Sequence, residues 1–233
     1  MLSLSTGIWV AVGCDVLAFP VFCGIVAGGL PVVRPIFRGD AQRWRVRVFL
    51  CLIAAAAIFA ALATVLGLRT SGQSLAAVGM TAPGWISWMI VGIFGAFFLL
   101  GAAGINPSPD LPAPSEPRLV LLPHTRSERL FMLLVIAPVA AVSEELVYRG
   151  LFLTLLTELI GFWPSNLIQA AIFGFHHGGF HQGWQSMTSR VVIGFALGLL
   201  VWWHGNLIPA MVIHFLMNAS TAARPLKPGK NAA

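Results

Sequence analysis

The chain has 233 residues, 58% of them hydrophobic and only 9% charged, with a mean hydropathy of +0.85. A soluble domain carries roughly 25% charged residues, so this chain lacks the polar surface to cover a water-facing globule. The net charge of +6 does not point to nucleic acid, because the basic residues gather between apolar runs, where they orient a membrane protein.

Long apolar runs without two-residue alternation exclude a membrane β-barrel. They predict an all-α, polytopic transmembrane helical bundle of about seven to eight helices, each span needing about 20 mostly apolar residues. The first run, Thr6 to Val33, is interrupted by Asp15 and Pro20. It resembles the hydrophobic region of a signal peptide, but it lacks a basic leader and is too long, so it is expected to stay as a membrane helix. Arg34, Arg38, Arg43, Arg45 and Arg47 form a basic loop before the uncharged second run, Val48 to Leu68. After a polar connection, Trp85 and Trp88 stand where an interfacial aromatic belt anchors the third span, Trp85 to Ile105. Residues 1–105 therefore form a set of N-terminal transmembrane helices. Cys14, Cys23 and Cys51 lie in or beside apolar segments, and their odd number argues against a disulfide framework.

Residues 106–127 read as a Pro-rich cytoplasmic loop, and Thr125 or Ser127 provides a helix cap. Residues 128–221 form a helical core. Its first helix runs from Leu130 through Ser143-Glu144-Glu145 to about Ile160. Pro164 opens the next span, which ends at His176-His177-Gly178-Gly179. Two more follow, Met187 to Trp203 and Asn206 to Thr221. Residues 222–233 are a basic tail with Arg224, Lys227 and Lys230. The three basic segments fall on one side, which predicts a cytoplasmic C-terminus and an outside N-terminus; the expected location is a bacterial plasma membrane. No internal repeat supports an inverted-repeat transporter.

Ionisable groups at membrane depth are costly and face a cavity or one another. Here they form three groups. In Glu144-Glu145-Leu146-Val147-Tyr148-Arg149, Glu145 and Arg149 are four apart on one helical face, acidic residue first, and form a supporting ion pair. Glu144 is rotated by roughly 100° and points elsewhere without a partner, a candidate general base. A solvated interfacial helix end would look the same in isolation. In the second group, Phe173-Gly174-Phe175-His176-His177, a histidine can share a water with Glu144 or ligate a metal. His176, His177 and His181 all qualify on chemistry, and a histidine-bearing interfacial loop is the plainer reading. In the third, His214 and Asn218 lie four apart and present a donor pair to the bundle interior. They can hold an oxyanion or cross-link helices. Asp15, Glu158 and His204 read as structural or interfacial.

Together a Glu and a His can activate water while a His and an Asn polarise a carbonyl, enough to hydrolyse a peptide bond without a covalent intermediate. No HExxH motif is present. Glu144, His177 and His214 could instead be zinc ligands with an open water position.

The run Glu144-Glu145-x-x-x-Arg149, then Phe173-x-x-x-His177, then His214-x-x-x-Asn218 resembles the three-motif pattern of the type II CAAX prenyl protease family, also called CPBP or Abi. The similarity covers about Leu121 to Ser220, and Pro123-x-Thr125-x-x-Glu128-Arg129 is also similar to bacterial members. The resemblance implies a cavity open to the cytoplasmic side and an intramembrane endopeptidase acting on a membrane-associated peptide or protein. Glu144 and His177 would activate water, His214 and Asn218 would form the oxyanion hole, and Glu145 and Arg149 would support them. The family carries a metalloprotease label. The glutamate mechanism, which needs no cofactor, is the preferred expectation because Asn218 is a poor metal ligand; Zn2+ is the alternative. His176 beside His177, and Gly178-Gly179 before His181, depart from the pattern. Two other readings stand beside this one: a non-proteolytic factor such as a bacteriocin self-immunity protein, and a proton-coupled carrier.

Overall fold

The structure is a computed structural model that describes residues 9, 11–13, 31–104, 120–177 and 184–223. Most of the expected first span with Asp15, Cys14 and Cys23 lies outside the described residues. So do most of the Pro-rich segment, the Gly178-to-Gly183 stretch with His181, and the tail from Arg224 onward.

Helices make up the fold, with no strand among the described residues. In chain order they are α1 (Val33–Phe37), α2 (Arg43–Thr70), a 3-10 turn (Leu75–Val78) and α3 (Trp85–Gly104). The continuous α4 (Arg126–Ile160) follows, then α5 (Phe162–His176), α6 (Trp184–His204) and α7 (Ile208–Ala223). Among the described residues α2, α4 and α6 are long and apolar enough to cross a membrane. The protein is an integral membrane protein with an all-α bundle.

Its surface is the reverse of a soluble protein's. Leu134 is 71% exposed, and Phe97, Val192, Trp85 and Trp203 are likewise outside, whereas Glu145, Arg149, Asn166 and Gln169 are buried. In a bilayer the apolar exterior costs nothing, and the polar interior must be paired.

α4 is the central element. It packs against α2, α5 and α7, while α5 lies along α6 and α3 along α7. Leu151, Leu155, Leu197, Leu207 and Met211 form the main apolar core between them. The start of α4 is fixed by Thr125, whose hydroxyl accepts the Glu128 N–H at 3.2 Å. Glu128 in turn accepts the His124 N–H at 2.9 Å, a close relative of the capping box. The same buried carboxylate takes Arg43 on both oxygens, at 3.2 and 2.5 Å, and Arg47 at 3.0 Å. Arg43 also donates to the Val120 and Leu122 carbonyls, at 2.6 and 3.1 Å. Two residues of the basic segment thus clamp the start of α2 to the start of α4. Gly161, at φ 81°, breaks α4 from α5 in a conformation few other residues adopt.

Candidate active site

α4 is not uniformly α-helical. It widens into π-helix over Met132–Ile136 and again over Glu145–Phe152. An i→i+5 turn of this kind recurs at functional sites, and it reduces the angle between successive side chains below the α-helical one. The second widened segment begins at Glu145, directly after Glu144.

Both carboxylates meet one imidazole. Glu145 Oε1 lies 2.7 Å from His214 Nδ1 and accepts from Arg149 Nη1 at 2.8 Å. Glu144 Oε2 lies 3.7 Å from His214 Nε2 and 3.2 Å from His177 Nε2. Glu144 thus turns away from Arg149 and toward the two histidines. The ion pair of Glu145 with Arg149 forms as the i, i+4 spacing predicts, with both side chains fully buried.

Each histidine has one nitrogen committed. His177 Nδ1 lies 2.8 Å from the Phe173 carbonyl, which can only accept, so Nδ1 carries the hydrogen. His214 Nδ1 faces the Glu145 carboxylate in the same way. The Nε2 atoms of both rings are thereby turned toward Glu144. Glu144 Oε2 is buried, yet none of its neighbours meets it in hydrogen-bond alignment. It faces two imidazole nitrogens with its lone pairs open.

His176 takes a different direction. Its ring meets the edge of Tyr148, centroids 5.4 Å apart, so His177 is the histidine that the structure brings to Glu144. Phe173 supports the group three ways: its carbonyl orients His177, its ring lies 4.3 Å under the Arg149 guanidinium, and it meets the His214 ring edge-on at 5.9 Å. Asn218 stands one turn beyond His214 on α7, half-buried. Glu158 is exposed close to the end of α4. His204 pairs with Ser87 at 2.7 Å, a link between α6 and α3 remote from the site in sequence.

Several supporting residues carried no signal in the motif reading. Arg190 on α6 donates to the His177 carbonyl at 2.7 Å and to Ser186 at 3.1 Å, capping the end of α5. Asn166 and Gln169 are fully buried on α5. A cation in an apolar helix, and two amides three apart, are the features that could have marked them.

A zinc site at Glu144, His177 and His214 can be tested on these distances. Donor atoms around a tetrahedral zinc lie roughly 3.3 Å apart, near the 3.2 and 3.7 Å seen from Glu144 Oε2. Among the described residues, however, no group of three His, Cys, Asp or Glu side chains is arranged to hold a metal ion.

Residues 126–220 match the family model described as type II CAAX prenyl endopeptidase Rce1-like. The match spans α4 to α7 and contains every residue of the constellation. This region is therefore similar to the CAAX-protease (CPBP) family. The chain is also 33% identical over 103 residues to the uncharacterized protein YpbD of Bacillus subtilis (strain 168). That similarity covers 44% of this chain and 46% of the relative, so the chain spans about half the length of the curated relative it matches. No solved structure matches the chain.

Proposed function

We propose that this protein is an intramembrane endopeptidase that hydrolyses a peptide bond of a membrane-associated polypeptide with a glutamate-activated water. The observation that carries the proposal is the open Glu144 Oε2 facing two oriented imidazoles. A water seated beside Glu144 and His177 Nε2, within reach of both, gives a proton to the carboxylate as its oxygen attacks the peptide carbonyl carbon. The new oxyanion is held by the Nε2–H of His214 and the side-chain amide of Asn218. Collapse of the tetrahedral intermediate breaks the C–N bond, and the proton on Glu144 passes to the leaving nitrogen. Water and one peptide bond become one carboxylic acid and one amine.

The charge count of the site supports His214 as donor. Glu144, Glu145 and Arg149 sum to one net negative charge, and one added proton on an imidazole neutralises the buried set. Glu145 holds that imidazole from the opposite nitrogen. The clamped basic segment at the start of α2 and α4 supports a cytoplasmic position for this end of the bundle. No step is routed through a metal.

The test is turnover of an internally quenched peptide library, rich in apolar segments, by purified protein in proteoliposomes. Glu144→Ala and His177→Ala are expected to lower turnover by about 10²–10⁴-fold, the span of general acid–base catalysis, and chelator to leave wild type unchanged. A Glu144→Ala variant as active as wild type defeats the catalytic proposal. If a cellular phenotype survives both Glu144→Ala and His214→Ala, a non-proteolytic membrane role replaces it. Stoichiometric zinc with chelator-sensitive activity would overturn the metal-free mechanism.

A further inference from the structure

Arg149 is fully buried, and its guanidinium has two hydrogen-bond anchors. Nη1 binds Glu145, and Nη2 donates to the Gly194 carbonyl of α6 at 3.3 Å. Its Nε has no partner. With two anchors the guanidinium plane is defined; with one it can pivot.

The Gly194 carbonyl is itself shared. Gln169 Nε2 donates to it at 3.1 Å and to Asn166 Oδ1 at 2.7 Å. Asn166 Nδ2 reaches the Phe195 carbonyl at 3.1 Å. These amides occupy a notch made by glycine on α6, where Gly194 and Gly198 are four apart. A Cβ at Gly198 would occupy the place of Asn166 Oδ1. A Cβ at Gly194 would lie 3.1 Å from Phe173 Cδ1 and 3.2 Å from Ala170 Cα. Small residues at this spacing let two membrane helices approach closely, and here they admit two amides as well. Both hydrogens of the Gln169 amide are used, and its direction is set by Asn166.

We propose that Gln169 is a positioning residue: by sharing the Gly194 carbonyl it confines Arg149 to the side facing Glu145, and so sets the carboxylate that orients His214. The inference rests on His214 belonging to the reacting set, but its geometry is readable without any substrate. Gln169 touches no reacting atom and acts through Arg149 and Glu145.

The experiment is long-range nitrogen–proton correlation of the histidine rings in the full chain, labelled with 15N-histidine in detergent micelles, with His214 assigned from His214→Ala. In wild type, His214 Nδ1 is expected in the protonated position at neutral pH. Gln169→Leu should move that signal toward the tautomer-averaged position while helical circular dichroism stays as in wild type. Asn166→Ala, which frees the same amide without changing the bulk of Gln169, should move it in the same direction and serves where Gln169→Leu does not fold. Arg149→Lys, a single-point donor that cannot bridge both acceptors, should move it furthest. A folded Gln169→Leu or Asn166→Ala protein with the wild-type His214 signal, beside a shifted Arg149→Lys, makes the amides packing groups and overturns the proposal. A wild-type signal in all three variants overturns it as well. Failure to detect proteolysis would leave this readout intact, so the two claims fail separately.

Discussion

Replacing Glu145 by Gln preserves the shape of the side chain and removes its charge. In the native protein that charge faces Arg149 at 2.8 Å and His214 at 2.7 Å, with neither Glu145 nor Arg149 exposed. Removing one partner of a buried ion pair leaves the other uncompensated, a cost of about 3–5 kcal/mol. Arg149→Met alone should cost a similar amount, by leaving Glu145 with His214 as its remaining partner. The double variant Glu145→Gln/Arg149→Met buries no lone charge, and its loss should fall short of the summed single losses by about 2–4 kcal/mol, since each single cost is largely the stranded charge. The competing estimate comes from ordinary polar contacts in membranes, whose coupling averages about 0.6 kcal/mol. Chemical unfolding in mixed micelles, followed by circular dichroism, separates the two. A coupling near the smaller figure would refute the view that a desolvated charge pair holds the site together.

Three further outcomes test the scaffold. Glu128→Gln should lower stability by about 1–3 kcal/mol, because the carboxylate that accepts from Arg43, Arg47 and the His124 N–H becomes a neutral amide with a single acceptor oxygen; in an Arg43→Ala background the same change should cost clearly less. Gly198→Ala should cost about 1–3 kcal/mol through overpacking against Asn166. Gly92→Ala, where nothing lies within 4 Å of the added Cβ, should raise stability by about 0.5–1 kcal/mol, the ordinary gain at an open helical position. Thermal unfolding of the two alanine variants side by side checks this.

The features legible in the sequence are those that rest on spacing. The pairing of Glu145 with Arg149, and of Thr125 with the N–H of Glu128, follow from positions four and three apart, which any helix brings together. Span limits were also close, with α3 expected at Trp85 to Ile105 and found at Trp85–Gly104. The approach of Glu144 to both His177 and His214 follows from the resemblance but not from spacing, because it depends on how α4, α5 and α7 pack. The choice between His176 and His177 was equally hidden, because it turns on which ring meets Tyr148. The Glu128 clamp joins residues 85 and 81 positions apart, so a reading of local runs left Arg43 and Arg47 as loop charges. Asn166 and Gln169 were overlooked because each looks incidental until Gly194 and Gly198 are placed opposite them.

The two helices that carry the histidines are short. α5 has 15 residues and α7 has 16, so at 1.5 Å per residue they extend only about 22–24 Å, against a hydrocarbon slab of about 30 Å. At the start of α5, Phe162 stacks 4.2 Å from Trp202 of α6. A helix shorter than the slab is met by a thinned bilayer or by headgroups and water that follow its ends inward. Under the proposed hydrolysis, a water molecule and a polar peptide group would meet their lowest barrier beside these short helices, and the bilayer's own deformation would be part of how the site is reached.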